Sequence, residues 1–383
     1  MKKYIQVASP IFDGNEIVYL KKTLASGWVA PGPQTKKLET LIKKKIKAKY
    51  AIAVNSCTNG IWACLIAMGA KKGDEVLTPA NTFISTINTI HNMGLKIRLC
   101  DVDLKKWSVT NEIFEKTLTK KTKFFIPVHF GGNPIDINKI IVTAKKNKIK
   151  IIDDAATAMG SKINNKYLGS YNYPITVFSL HANKIITSAD GGIITLNNKR
   201  LAINLRKLIN SGLEKSSWQR KKVNNFKRLN VKMAGYKFNY NDVLASIAIP
   251  QFKKIDKIIN YRKKLYTKYK QSLKNLIDIN SIYLQEIEES NSSSLYCFQI
   301  YIAKNNIRDK LAYFLENNKI STTVYYTPAH KHDFYKNRLN SKNQINCNKL
   351  FNNSLALPFH NKLKFKDIKK ITDLVKLFFN ENT

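Results

Sequence analysis

Acidic residues are scarce in this 383-residue chain: 26 Asp and Glu stand against 65 Lys and Arg, a formal net charge of +39. Such an excess raises the question of nucleic acid. The lysines, however, are spread along the whole chain, and no helix-turn-helix, RRM or zinc-finger signature accompanies them, so no specific nucleic-acid partner is expected. The positive field would instead help capture a polyanionic substrate. Cysteine is sparse too. Cys57, Cys64, Cys100, Cys297 and Cys347 show no C-x-x-C and no paired histidine spacing, which argues against a zinc site or a disulfide framework and predicts reduced thiols. No run approaches the ~18 apolar residues needed to cross a bilayer. The start, Met1 to Val7, has too short an apolar region for a secretory signal. These absences predict a cytoplasmic protein with no metal, no membrane partner and no internal repeat. What is present, 44% hydrophobic and 10% aromatic residues, fits a globular enzyme with one large domain and a smaller one.

The chemistry concentrates between Val177 and Leu196, V-F-S-L-H-A-N-K-I-I-T-S-A-D-G-G-I-I-T-L. An apolar pair runs into Ser179, a short polar passage presents His181, Asn183 and Lys184, and Gly191-Gly192 turns the chain into a largely β-branched run. Most lysines are solvated surface charges. The context sets Lys184 apart. Upstream, Ile149 to Ile152 reads as a buried strand that ends in Asp153 and Asp154, followed by Ala155 and Ala156. A carboxylate at the end of a buried parallel strand and a lysine on a loop about thirty residues later form the pair that pyridoxal 5′-phosphate (PLP) needs: the acid keeps the pyridine nitrogen protonated, and the amine carries the aldehyde covalently.

Along the chain, strands are expected at Tyr50 to Val54, Ile97 to Val102, Phe124 to His129 and Ile149 to Asp154, with a turn and strand over Gly73 to Pro79 and helices between them. That alternation predicts a largely parallel sheet covered on both faces, with ligands at the carboxyl ends of the strands. Asn55 to Gly60 is a small polar turn before a helix, which places N–H groups and hydroxyls where a cofactor phosphate could sit, or serves as an ordinary helix cap. Phe83, just beyond a strand end, could stack on a flat ring or belong to the core. Trp28 reads first as a packing aromatic. Ser216 to Lys232 reads as a long exposed loop, and Val243 to Lys274 as one long helix kinked at Pro250. Strands near Tyr296 to Ala303 and Ile320 to Tyr326, helices near 307 to 317 and 366 to 379, and a polar loop at Ser290 to Ser294 complete a smaller α/β unit.

Eight motifs in order give the chain a resemblance. They are G-W-V-x-x-G-P at Gly27 to Pro33, N-S-x-T at Asn55 to Thr58, G-D-E-V at Gly73 to Val76, T-P-x-x-T-F at Thr78 to Phe83, P-V-H-F-x-G at Pro127 to Gly132, D-x-A at Asp154 to Ala156, F-S-x-H-x-x-K at Phe178 to Lys184, and G-Y-K-F-N-x-x-D at Gly235 to Asp242. Together they resemble the DegT/DnrJ/StrS sugar aminotransferases, PLP-dependent enzymes of fold type I. The resemblance implies an α/β large domain over residues 1–250 with a mostly parallel seven-stranded sheet between helices, and a small C-terminal α/β domain over residues 251–383 on which the N-terminal segment packs. Lys184 and Asp154 would be catalytic. Ser56, Cys57, Thr58 and Ser179 would meet the cofactor phosphate, Phe83 would stack on the ring, Thr157 would stand near the cofactor hydroxyl, and Asn239 would reach the phosphate from the neighbouring subunit of a homodimer. Trp28, His181, Lys237 and His330 would lie on the substrate side. Within the family, Gly235 to Asn239 and Pro328-Ala329-His330 most resemble enzymes that aminate C4 of UDP-4-keto sugars, as in formation of UDP-4-amino-4-deoxy-L-arabinose, with glutamate as amino donor. Three departures stand out: Thr157 in place of a His or Gln, Asp190 in place of a Glu, and the order Lys237, Asn239 where Asn precedes Arg. Lysine at 184 disfavours the related sugar dehydratases, which carry His there. The alternatives are such a PLP-dependent dehydratase and, from another class, a basic binding protein that keeps the fold without the chemistry.

Overall fold

The protein is described by a computed structural model over residues 4–221, 229–340 and 342–382. Its centre is a seven-stranded sheet in the order Tyr50–Val54, Gly192–Leu196, Ile175–Ser179, Lys150–Asp154, Thr122–Phe125, Glu75–Pro79, Lys96–Cys100. Gly192–Leu196 runs antiparallel to both its neighbours; every other pairing is parallel. The exception has a simple cause. Each parallel return needs a crossover long enough for a helix, whereas Gly192–Leu196 is reached from Ile175–Ser179 through the lysine loop alone.

Alternation along the strands divides the core. Ile152, Phe124, Val177 and Ile194 point to one face and pack with Ile61, Leu65 and Leu205 of the helices Cys57–Ala67 and Lys199–Leu208. Their neighbours Ile151, Phe125, Phe178 and Ile193 point to the other face and pack with Leu38, Ile42, Ile140, Ala245 and Ile249. Burying both faces in this way is what makes the strands read as nearly continuous apolar runs. The edge strand Tyr50–Val54 is closed off by an ion pair: Ala53 N–H donates to Glu39 Oε1 (2.9 Å), Arg206 donates to Ala51 O (3.0 Å), and the two side chains meet at 2.8 Å.

A separate cluster forms the C-terminal core around the sheet Ile282–Leu284, Phe298–Ile302, Ser354–Leu357, with Leu265, Leu311 and Val375 from three helices. Ile5 joins it, its N–H donating to Lys319 O (2.9 Å).

Several local expectations change. The region after Asn241 divides into Asp242–Lys253, Ile255–Ser272 and Lys274–Asp278, and the break falls at Lys254 instead of Pro250. Pro250 sits inside the first helix; one turn later Lys254 N–H turns to Gln251 O (3.2 Å), and its Nζ reaches Glu16 (2.7 Å) and Asp13 (2.9 Å). The expected strand at Ile320 to Tyr326 is reduced to single bridges at Ile320 and Thr323, because the chain leaves the small sheet for the large one: Tyr326 N–H donates to Asn81 Oδ1 (3.2 Å) and Ala329 N–H to Ala80 O (3.0 Å). Asn291–Ser292, expected as loop, pairs with Lys162–Ile163. In the expected loop at Ser216 to Lys232, Ser217–Lys221 is helical, and 222–228 lies outside the described residues. Helices Asn111–Thr117 and Ile345–Asn353 carry no clear periodic signal in the sequence.

Candidate active site

Asp154 closes the central strand at its carboxyl end and is 5% exposed. Thr86 Oγ1 donates to Oδ2 (3.0 Å) and Ala156 N–H donates to Oδ1 (3.1 Å). Burial pushes this carboxyl above its ordinary range; the two hydrogen bonds and the charges of Lys184 and His129 pull the other way. The site therefore holds a buried acid that gains from a cation placed beside it.

Lys184 follows the neighbouring strand, in a turn closed by its own N–H to His181 O (2.9 Å). Like Asp154 it belongs to the carboxyl end of the sheet, and it is near enough to act electrostatically on both Asp154 and Cys57. The Lys184 Nζ stands 4.8 Å from the centre of the Tyr296 ring. Burial first, then the Asp154 and Asp190 carboxylates, push the Cys57 thiol up, while Lys184 pulls it down, so Cys57 is a neutral wall residue.

Next to these groups the chain builds an anion cradle. Ser56 caps the Cys57–Ala67 helix, its Oγ accepting Asn59 N–H (3.1 Å), which leaves the N–H groups of Cys57 and Thr58 in the first turn without an acceptor among the described residues. The cradle rests directly on Gly192: a Cβ there would lie 2.7 Å from Cys57 N and 2.8 Å from Ser56 O. Ser179, buried at the end of its strand, accepts His181 N–H (3.2 Å). Phe83 stands at the start of helix Ile84–Asn92, 57% exposed, with its ring 5.9 Å from Tyr326. A flat, anionic, cation-bearing group fits this set: a carboxylate for a ring nitrogen, an open aromatic face, and N–H donors for a phosphate.

The other expected residues fall less uniformly. The Thr157 hydroxyl donates to His129 O (2.9 Å), so it can offer a ligand only its lone pairs. Asn239 lies beside Val54 of its own chain, with Nδ2 donating to Asn210 Oδ1 (3.2 Å), and Phe238 O accepts Asn55 N–H (2.8 Å). Lys237 is exposed on the same segment, and His181 is exposed on the lysine loop. Trp28 packs edge-on to Trp218 at 5.0 Å and donates to Pro31 O (3.4 Å). His330 is buried, bonded through Nε2 to Asn348 Oδ1 (2.9 Å), and burial lowers its pKa.

Some site residues carry little signal in the sequence. Thr86, which holds Asp154, lies three residues after Phe83 on the same helical turn, a spacing that could have flagged it. Tyr296, Tyr325 and Tyr326 come from the C-terminal unit, and nothing local marks them. Asp242, part of the last of the eight motifs, serves the architecture. Fully buried, it accepts the N–H groups of Gly32 (2.9 Å), Gln34 (3.0 Å) and Thr35 (2.9 Å) and the Thr35 hydroxyl (2.8 Å), capping the Pro33–Ile46 helix from a distant segment. The buried His129 supports the floor of the site: its N–H donates to Asp154 O (3.1 Å), its Nδ1 accepts Ile135 N–H (3.1 Å), and its Nε2 faces Asp153 Oδ2 at 3.6 Å.

Comparison with known proteins shows the family and the fold. A family model described as the DegT/DnrJ/EryC1/StrS aminotransferase family matches residues 10–376. The uncharacterized protein MJ1066 of Methanocaldococcus jannaschii is 31% identical over 376 residues, 97% of each chain. Among solved structures, the aminotransferase TlmJ from Streptoalloteichus hindustanus superposes with a TM-score of 0.90 at 25% identity, covering 98% of this chain and 99% of that one. The PMP form of the putative sugar aminotransferase Spr1654 from Streptococcus pneumoniae gives a TM-score of 0.91 at 24% identity, with 98% and 99% covered.

Proposed function

The chain belongs to the DegT/DnrJ/EryC1/StrS aminotransferase family, whose members use PLP, and from that premise we propose that it moves an amino group from glutamate to C4 of a nucleotide-linked 4-keto sugar, UDP-linked in the form the motifs favour. The observation that carries this reading is that Lys184 and the buried Asp154 follow the carboxyl ends of adjacent parallel strands, with Lys184 near enough to act on the Asp154 carboxyl.

When bound, PLP supplies an electron sink that stabilises negative charge at the carbon losing its proton. The chain's own residues do the rest. Lys184 Nζ carries the cofactor and, when free, takes and returns a proton at that carbon. The Asp154 carboxylate holds the proton on the ring nitrogen; the Thr86 hydroxyl and the Ala156 N–H keep it in line. Phe83 covers a ring face, and the Cys57 and Thr58 N–H groups with the Ser56 and Ser179 hydroxyls anchor the phosphate. Tyr326, brought in from the C-terminal unit, packs edge-on to Phe83 at 5.9 Å and to Tyr325 at 5.3 Å. His330, Lys237 and His181 are assigned to the sugar nucleotide, with the chain's positive field favouring its diphosphate.

We infer further that two copies associate and share the site. Helix Asn15–Ala25 supports this: it buries Glu16 and Thr23 against its own chain while Ile17, Val18 and Leu24 stay 69%, 50% and 54% exposed, the reverse of what an isolated amphipathic helix does.

The test is a panel of UDP-, dTDP- and GDP-linked 4-keto sugars with glutamate, read by product mass. An amino sugar is expected from wild type and none from Lys184→Ala; full turnover by the lysine variant would refute the assignment.

A further inference from the structure

Tyr296 stands where a free lysine would need a partner. It lies just before the strand Phe298–Ile302 of the C-terminal unit, is almost wholly buried, and turns its ring face to the Lys184 Nζ at 4.8 Å. The position of that ring is fixed from two sides. Towards the large sheet, Tyr296 N–H donates to Gly131 O (2.9 Å), Ser294 N–H donates to Gly132 O (3.2 Å), and the Ser294 hydroxyl donates to Thr157 O (2.9 Å). The fit is close enough that a Cβ on Gly132 would meet Ser294 Oγ at 2.3 Å and Tyr296 N at 3.1 Å. Towards the small domain, Arg262 donates to Leu295 O and Tyr296 O (3.1 Å each) and Phe359 O (3.4 Å). Among the described residues no carboxylate pairs with Arg262, so this buried guanidinium is given over to backbone carbonyls and to the Phe359 ring 5.4 Å away. Burial draws its pKa down to about 10, which leaves it charged at neutral pH.

We propose that the Tyr296 ring holds the Lys184 ammonium whenever its nitrogen is not bonded to the cofactor, which makes Tyr296 a positioning residue that favours the free-lysine state. The inference rests on the reading that Lys184 carries PLP. A cation over an aromatic face is attracted by the ring quadrupole, and more strongly where water is excluded. Covalent capture consumes the free ammonium, so the ring's attraction for that ammonium no longer contributes. The ring thus opposes permanent attachment and leaves the lysine available as a proton carrier. A tyrosine that served only as packing would act in the opposite direction, since its removal would loosen the cofactor.

The experiment is a PLP titration of the apoprotein, followed by absorbance, with borohydride reduction and peptide mass to confirm attachment at Lys184. Tyr296→Phe, which keeps the ring, is expected to match wild type. Tyr296→Leu is expected to capture PLP roughly fivefold more tightly, the equivalent of one modest cation–π contact. Equal or weaker capture by a folded Tyr296→Leu, or a Tyr296→Phe that behaves like the leucine variant, overturns the proposal. Should Tyr296→Leu fail to fold, Tyr296→Met, closer in volume and likewise without a ring, decides in the same way. A wild type that captures no PLP at Lys184 would overturn the cofactor reading itself, and this inference with it.

Discussion

Replacing Thr86 by Val removes one of two hydrogen bonds that hold the Asp154 carboxylate while keeping the shape of a buried β-branched side chain. A hydrogen bond to a charged group contributes about 1.5–3 kcal/mol, so PLP affinity is expected to fall roughly 10- to 100-fold. The apoprotein gives a second reading through pH. Burial already raises the Asp154 pKa in the folded state and Thr86 pulls it down, so the variant raises it further. A carboxyl with a raised folded pKa binds its proton more tightly when folded, so its ionisation costs stability as pH rises. The gap in unfolding free energy between wild type and Thr86→Val should therefore be small at acid pH and open as pH climbs through the folded pKa. Urea unfolding of the apoprotein from about pH 4 to 8 and an absorbance titration with PLP measure the two effects, with Thr86→Ser expected to restore both. Wild-type PLP affinity in Thr86→Val, or a stability gap that ignores pH, would refute the assigned role of Asp154 and its hydroxyl partner.

Asp242→Ala should destabilise the fold by about 3 kcal/mol or more, because it strands three N–H groups and a hydroxyl around a buried position; a urea midpoint unchanged from wild type would show that the Pro33–Ile46 helix does not depend on that cap. His360, bonded to Gln6 O at 3.2 Å, has its pKa drawn by burial to about 4, with Arg262 and Lys362 lowering it and Gln6 O and Asp367 raising it. The unfolded chain takes up that proton first, so stability should decline as pH falls from about 6.5 towards 4, by on the order of 2 kcal/mol after allowing for solvent screening; thermal melts of His360→Gln should lose that slope, and a slope shared with wild type would assign it to other groups.

The parts of the site that can be read from the sequence are those whose chemistry is written in one short stretch. Ile151 and Ile152 before Asp154 show a buried strand ending in a charge, and the loop from Ser179 to Gly192 shows a lysine between strands; a local pattern suffices because the sheet itself places consecutive strand ends side by side. Asp242 shows the limit of a motif. It stands in G-Y-K-F-N-x-x-D with no role assigned from the sequence, and its hydrogen bonds go to a helix more than two hundred residues earlier, a contact that no periodicity reveals. The same limit applies to the tyrosines of the C-terminal unit. Tyr326 and Ala329 reach the large sheet by single hydrogen bonds to Asn81 and Ala80, and Tyr296 is held against Lys184 by Arg262 and by the carbonyl of Gly131, with Ser294 beside it bonded to the carbonyl of Gly132. In sequence these tyrosines are indistinguishable from core aromatics of a strand. The lysine and the carboxylate are therefore legible from local patterns, whereas the aromatic residues around them come from long-range crossings. The rings at 296, 325 and 326 arrive by such crossings, and the Lys184 and Asp154 motifs alone do not specify them.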